Sequence, residues 1–282
     1  LKKIGVYHLV KLSDFLVNTS IFTAFCALGL CIATEKLMGV PFSLSLSSLH
    51  WSVFGSTLVI YNLPRLFPYG KPGYYTFSPY KVWQYIFLLS GIIIVGFSFT
   101  HLSFKSVITG CLSGVLAFAY TMPALIWQNK KRLRDYGLLK ILVLTGVWTI
   151  VTAVIPILEH GENITKYPFE IIMRFVFVFV LCILFDIRDI QKDVDNKLMT
   201  LPTRIGIQKS YLAIHLSLIV FLLLSILQHY RYAVPGKLMA SLITTGVTYL
   251  VARHLRHERN KKLFVIMTDG MMIVYSVLVM LY

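Results

Sequence analysis

Apolar stretches of near-constant length recur along the chain, separated by short polar and mostly basic segments. A helix that crosses a bilayer needs roughly 17–25 mostly apolar residues. Stretches of that kind run over residues 14–37, 47–66, 82–101, 104–126, 138–158, 168–186, 211–229, 237–255 and 263–281. The pattern predicts an all-α, polytopic membrane protein with nine transmembrane helices. The chain, 1–282, reads as a single transmembrane domain. Polar clusters end the second and sixth stretches alike, which hints at two pseudo-repeats of about four helices plus one further helix.

Composition agrees with a chain that faces lipid. Hydrophobic residues make up 57% and charged residues 14%, whereas a soluble domain carries about 25% charged residues. The net charge of +15 would suggest nucleic acid in a soluble protein, but no recognition motif accompanies it. The basic residues lie between apolar spans, so anionic membrane lipids are the expected partner and nucleic acid is not.

With the N-terminus in the cytoplasm, 21 of the 27 Lys and Arg fall on that side; Lys36, Lys105, Lys166, Arg174, Arg231 and Lys237 remain. Lys and Arg are retained on the cytoplasmic side, so the expected topology has the N-terminus inside and the C-terminus outside, in a membrane such as the bacterial inner membrane. After Lys2 and Lys3 the first apolar stretch has span length and lacks a small-residue cleavage site, so no cleaved leader is expected. Cys26, Cys31, Cys111 and Cys182 lie in apolar runs without CxxC or metal-ligand spacing, and read as small core residues.

The segment from Phe185 to Gly206 reads FDIRDIQKDVDNKLMTLPTRIG. At about 100° per residue, a helix carried past the membrane surface would gather Asp186, Asp189 and Asp193 within an arc of about 60°. Asp195 would point elsewhere. Like charges so placed repel one another. Hard divalent ions take carboxylate oxygens, and Mg²⁺ often bridges carboxylates to substrate phosphates. The alternative is a solvated acidic loop balanced by Arg188, Lys192 and Lys197.

The run of Asp186, Asp189 and Asp193 followed by Thr200, Leu201, Pro202 and Gly206 resembles the second aspartate-rich motif of the UbiA superfamily of intramembrane prenyltransferases. The resemblance implies a nine-helix bundle around a central cavity. Two aspartate-rich motifs at its cytoplasmic mouth would bind a prenyl diphosphate through Mg²⁺. It makes Asp186, Asp189 and Asp193 the expected metal-binding and catalytic residues.

Other positions depart from the family. Its first motif, NDxxD, falls on Asn62-Leu63-Pro64-Arg65-Leu66, so both aspartates are missing. Asn62 could still hydrogen-bond the substrate and Arg65 could grip phosphate as a bidentate cation, or the pair could be an ordinary Pro-terminated helix end with a snorkelling Arg. Tyr120 stands at the family's tyrosine, or is a plain interface-belt tyrosine. Ala124 replaces the lysine four residues on, which leaves Lys130 as the candidate phosphate contact from that loop. Arg188 and Arg204 complete the candidate diphosphate clamps.

Polar residues inside apolar spans cost energy unless paired or used. Asp269 is expected to make a structural hydrogen bond, orient a neighbouring cation or stabilise a cation in the cavity. Asn18 either lines the cavity or ties helices together. Glu170 and Arg174, four residues apart, are expected to pair. His50 and His101 read as structural histidines.

Three function classes remain open. A prenyltransferase would pass the allylic cation to a lipophilic acceptor. A membrane terpene cyclase would capture it with the chain's own double bonds. A non-catalytic member would bind isoprenoid lipid without releasing diphosphate.

Overall fold

The computed structural model describes residues 12–43, 45–66, 79–121, 136–232, 234–258 and 260–282. Among them the chain is helical throughout, with short turns. The helices are α1 (Leu12–Asn18), α2 (Ile21–Leu37), α3 (Ser48–Leu66), α4 (Lys81–Phe99), α5 (Phe104–Thr121) and α6 (Gly137–Glu159). They continue with α7 (Pro168–Arg188), α8 (Ile190–Asp195), α9 (Leu201–Ile205), α10 (Ile207–Tyr232), α11 (Pro235–Leu255) and α12 (Lys261–Leu281).

Six of these, α4, α5, α6, α7, α10 and α12, are long and apolar enough to cross a membrane, and the bent pair α1 and α2 makes seven. The expected spans at 47–66 and 237–255 coincide with α3 and α11. Both have the length, but their composition falls short: α3 carries His50, Asn62 and Arg65, and α11 carries Lys237, Arg253 and His254. Several apolar helices of span length make the chain a multi-pass integral membrane protein.

The buried centre is formed by α2 and α7. α2 packs on α3, α12 and the middle of α6, while α7 packs on α10 and α6. Where α3 crosses α4, a Cβ built on Gly91 would lie 2.8 Å from the carbonyl oxygen of Gly55, so only glycine permits that approach. In α6, residues Ile150–Val154 widen into a π-helical turn just before Pro156. Pro156 has no N–H for the carbonyl of Thr152. Thr34 of α2 donates to that oxygen at 2.7 Å instead, and Arg174 of α7 donates to Thr34 at 3.0 Å.

Arg174 therefore does not pair with Glu170 as the sequence spacing suggested. Glu170 accepts from Lys237 of α11 and from Gln228 of α10, the latter at 2.8 Å. One turn separates Glu170 from Arg174 on α7, and each finds a nearer partner on another helix. At the same end, His50 and His160 donate to opposite oxygens of Glu35 at 2.6 and 2.8 Å, tying α2, α3 and the end of α6 together. His50 is thus structural, as expected, but it has a carboxylate partner that its sequence neighbours do not reveal. His101 is exposed and lies against the Phe97 ring.

Candidate functional site

The opposite end of the bundle gathers the aspartates. α7 is apolar over most of its length and ends at Arg188; the backbone then turns at Asp189, with φ −92° and ψ 6°, before α8 begins. Among the described residues the three carboxylates do not come together at one point. Asp186 and Asp193 are both buried. They share one cation: Lys140 Nζ lies 2.6 Å from Asp186 Oδ1 and 3.4 Å from Asp193 Oδ2. Asp189 turns away and accepts two hydrogen bonds from Arg188, at 3.0 and 2.8 Å. Burial alone would raise the Asp189 pKa, but the Arg188 hydrogen bonds and charge outweigh it and hold the carboxyl below its ordinary value.

Three local features set Lys140 where it is. Gly137, the first residue of α6, has φ +36°, and a Cβ there would lie 2.1 Å from the Met199 carbonyl oxygen. Close approach of Gly137 to the 198–200 segment brings Lys140, one turn on, opposite the aspartates. That segment is fixed in turn by Leu198 N–H donating to Asp193 O at 2.8 Å and Thr203 Oγ1 donating to Leu198 O at 2.9 Å. Thr200 stands at the N-cap position of the short α9, Pro202 fills its first turn, and Gly206, at φ +85° and ψ 160°, adopts a conformation open essentially to glycine alone. The Thr200-Leu201-Pro202 and Gly206 signature thus shapes the hairpin that carries Asp193 back to α6.

The Asn62 and Arg65 positions serve a different structural purpose. α1 and α2 are bent 73° apart at Thr19 and Ser20, where Ser20 has φ 64°. The bend frees the last carbonyls of α1. Arg65 donates to the carbonyls of Val17 and Asn18, Gln84 to Asn18 at 2.9 Å, and Asn62 Nδ2 to Thr19 at 3.0 Å. Asn62 keeps one buried oxygen, Oδ1, without a partner. The Asn18 side chain bonds back to Asp14 at 2.8 Å, so its contribution to the joint is its carbonyl.

Tyr120 is half-buried on α5, and Arg204 is exposed on α9. Lys130 lies outside the described residues. Arg188 leans over the rings of Phe185 and Phe264, on the side of α7 away from Asp186. Asp269 is buried in α12, where Thr23 donates to its Oδ2 at 3.3 Å. That is the structural hydrogen bond expected of it.

Between α3, α5 and α6 lies a cavity of about 90 Å³, with small residues of α5 (Ser106, Gly110, Ser113, Ala117) along one wall. Tyr61 and Trp148 form another part of its lining, joined by a 3.0 Å hydrogen bond from the indole N–H to the phenol.

Among the described residues no group of three His, Cys, Asp or Glu could hold a metal ion. Two carboxylates suffice for Mg²⁺ when substrate phosphates complete its shell. Asp186 and Asp193 fit that role: they already converge on one cation, and Asp186 keeps a buried Oδ2 without a partner. Asp189 does not join them.

The sequence profile of the UbiA prenyltransferase family matches residues 75–274. The chain belongs to this family. Solved structures share the fold of this UbiA-family protein. A UbiA homolog from Aeropyrum pernix K1 in its apo form aligns at TM-score 0.63 and 17% identity, covering 91% of this chain and 97% of that one. A UbiA homolog from Archaeoglobus fulgidus bound to Cd²⁺ aligns at 0.61 and 11%, covering 94% and 99%. A digeranylgeranylglyceryl phosphate synthase aligns at 0.57 and 15%, covering 96% of each chain. No curated protein matches the chain.

Lys140 is the site residue that sequence reasoning missed. A single lysine inside the apolar run of α6 is nonetheless a signal that an acid waits on a neighbouring helix.

Proposed function

We propose that this protein is an Mg²⁺-dependent intramembrane prenyltransferase that moves an isoprenyl group from a prenyl diphosphate to a lipophilic acceptor. The observation that carries this is the cation shared by buried Asp186 and Asp193 at the mouth of a UbiA-family bundle. The topology that goes with this reading is a single domain of nine spans, with α3 and α11 crossing beside more apolar neighbours and the aspartate end in the cytoplasm.

Asp186 and Asp193 would hold Mg²⁺, which when bound neutralises the diphosphate as it leaves. Without the ion, Lys140 holds that place and keeps the two carboxylates together. Cleavage of the C–O bond puts the electron pair on diphosphate and leaves an allylic cation in the bundle. The faces of Tyr61 and Trp148 stabilise such a cation electrostatically, and the apolar lining excludes water that would quench it. The acceptor then forms the new bond and loses a proton.

Diphosphate release from farnesyl and geranylgeranyl diphosphate tests the proposal, with and without Mg²⁺, for the wild type and an Asp186→Asn/Asp193→Asn variant. Release that needs both metal and carboxylates supports it, and an adduct distinguishes transfer from cyclisation. A second reading, isoprenoid binding without turnover, draws on Asn62 and Arg65, which stand at the missing aspartate motif and are tied to the α1 carbonyls. Tight binding of donor with no release by any preparation would select it and sink the first.

A further inference from the structure

We infer a second anion site in this protein, for a phosphate group, in the groove between α7, α10, α11 and α12. The groove encloses about 540 Å³ at the aspartate end of the bundle, a volume typical of a small-molecule pocket. Among the described residues three cations line it, Arg256, Lys261 and Arg188, the last already bonded to Asp189, with one carboxylate, Glu258. Glu258 is already engaged, accepting from the Asn260 backbone N–H at 2.6 Å.

Two long helices, α10 and α12, begin at the groove, since Ile207, Gln208, Asn260 and Lys261 all line it. Their positive dipole ends add to the attraction for an anion.

An independent observation comes from Tyr211, another lining residue. It is 3% exposed, and its hydroxyl is buried without a hydrogen-bond partner. Buried polar atoms are nearly always satisfied, and this unpartnered hydroxyl lies beside the cationic groove. The Arg256 guanidinium lies 4.2 Å over the Tyr211 ring.

Phosphate suits this donor set, because several cations and a hydroxyl can reach several of its oxygens at once. Phe264, Ile187 and Leu255 supply apolar wall beside the charges. A lipid carrying a terminal phosphate would therefore be favoured over the free ion. The site is separate from Asp186 and Asp193: it opens on the side of α7 that carries Arg188.

The test uses the full chain purified in detergent. Native mass spectrometry reads retention of dioleoylphosphatidic acid and dioleoylphosphatidylcholine, and thermal unfolding reads inorganic phosphate. The wild type should hold phosphatidic acid at least tenfold more tightly than phosphatidylcholine. Arg256→Gln/Lys261→Gln should lose that preference tenfold, and Tyr211→Phe, which removes one oxygen, severalfold. Asp186→Asn/Asp193→Asn should keep the preference, and Arg256→Gln/Lys261→Gln should keep diphosphate release, so failure here and failure of the prenyl-transfer reading are distinct. Stabilisation by free phosphate without lipid preference would support the site with a soluble anion as its ligand. Equal lipid retention by the wild type and both groove variants, with no response to phosphate, would overturn the site.

Discussion

Lys140 Nζ stands 2.6 Å from Asp186 Oδ1, on neighbouring helices and with the carboxylate side chain only 3% exposed. The ammonium occupies the position from which a divalent ion would reach both Asp186 and Asp193. Removing one partner of a buried ion pair typically costs about 3–5 kcal/mol, because a buried charge is left alone. Lys140→Gln should therefore lower the unfolding temperature in metal-free buffer. Added Mg²⁺ should restore more of it than it adds to the wild type. Thermal unfolding in detergent with EDTA or Mg²⁺ checks this, and an equal Mg²⁺ response in both proteins would rule out a shared cation position.

Gly137 controls the same pair from a distance. An alanine Cβ would lie 2.1 Å from Met199 O, at a φ of +36° that L-residues rarely adopt. Neither can shift without moving the start of α6. Gly137→Ala should cost about 1–3 kcal/mol and reduce diphosphate release at least tenfold. Gly146→Ala, where a Cβ meets nothing, serves as the control on the same helix. Loss of release in both variants alike would deny Gly137 this positioning role.

Much of this arrangement was legible in the chain, and the remainder has physical reasons for being hidden. Apolar stretches of span length marked the helices because lipid demands them, and the Asp186 run marked the end that carries the candidate site. Three carboxylates on one face presumed an unbroken helix, and the turn at Asp189 removes one of them. Partners across the bundle carry no local signature: Glu170 finds Lys237 and Gln228, and His50 finds Glu35. The bend at Ser20 was equally silent, since an apolar run looks the same whether straight or broken.

That bend makes Asn62 a stability residue whatever its part in catalysis. Its amide donates to the Thr19 and Leu58 carbonyls at 3.0 and 2.9 Å. Asn62→Asp would replace two donated hydrogen bonds by a carboxylate facing carbonyl oxygens. A buried group left unsatisfied costs about 1–3 kcal/mol, more when charged. Asn62→Asp should accordingly unfold at a lower temperature than Asn62→Ala. The reverse order in a thermal melt would mean that Asn62 is not the donor at this joint.

Asp189 gives a pH signature that separates it from a metal ligand. Burial raises its pKa, but the hydrogen bonds and charge of Arg188 lower it further, so the folded value lies below the unfolded one. A carboxyl shifted in that direction stabilises the fold at every pH above its unfolded value of about 3.9, and the contribution disappears as pH falls through the folded pKa. The unfolding temperatures of the wild type and Asp189→Asn should therefore differ by a constant amount from pH 8 to pH 5, and converge only in more acidic buffer. Mg²⁺ should leave that difference unchanged, because Asp189 answers to Arg188 and not to the cation between Asp186 and Asp193. A gap that widens with Mg²⁺ would return Asp189 to the metal site and require the turn after Arg188 to rearrange when the ion binds.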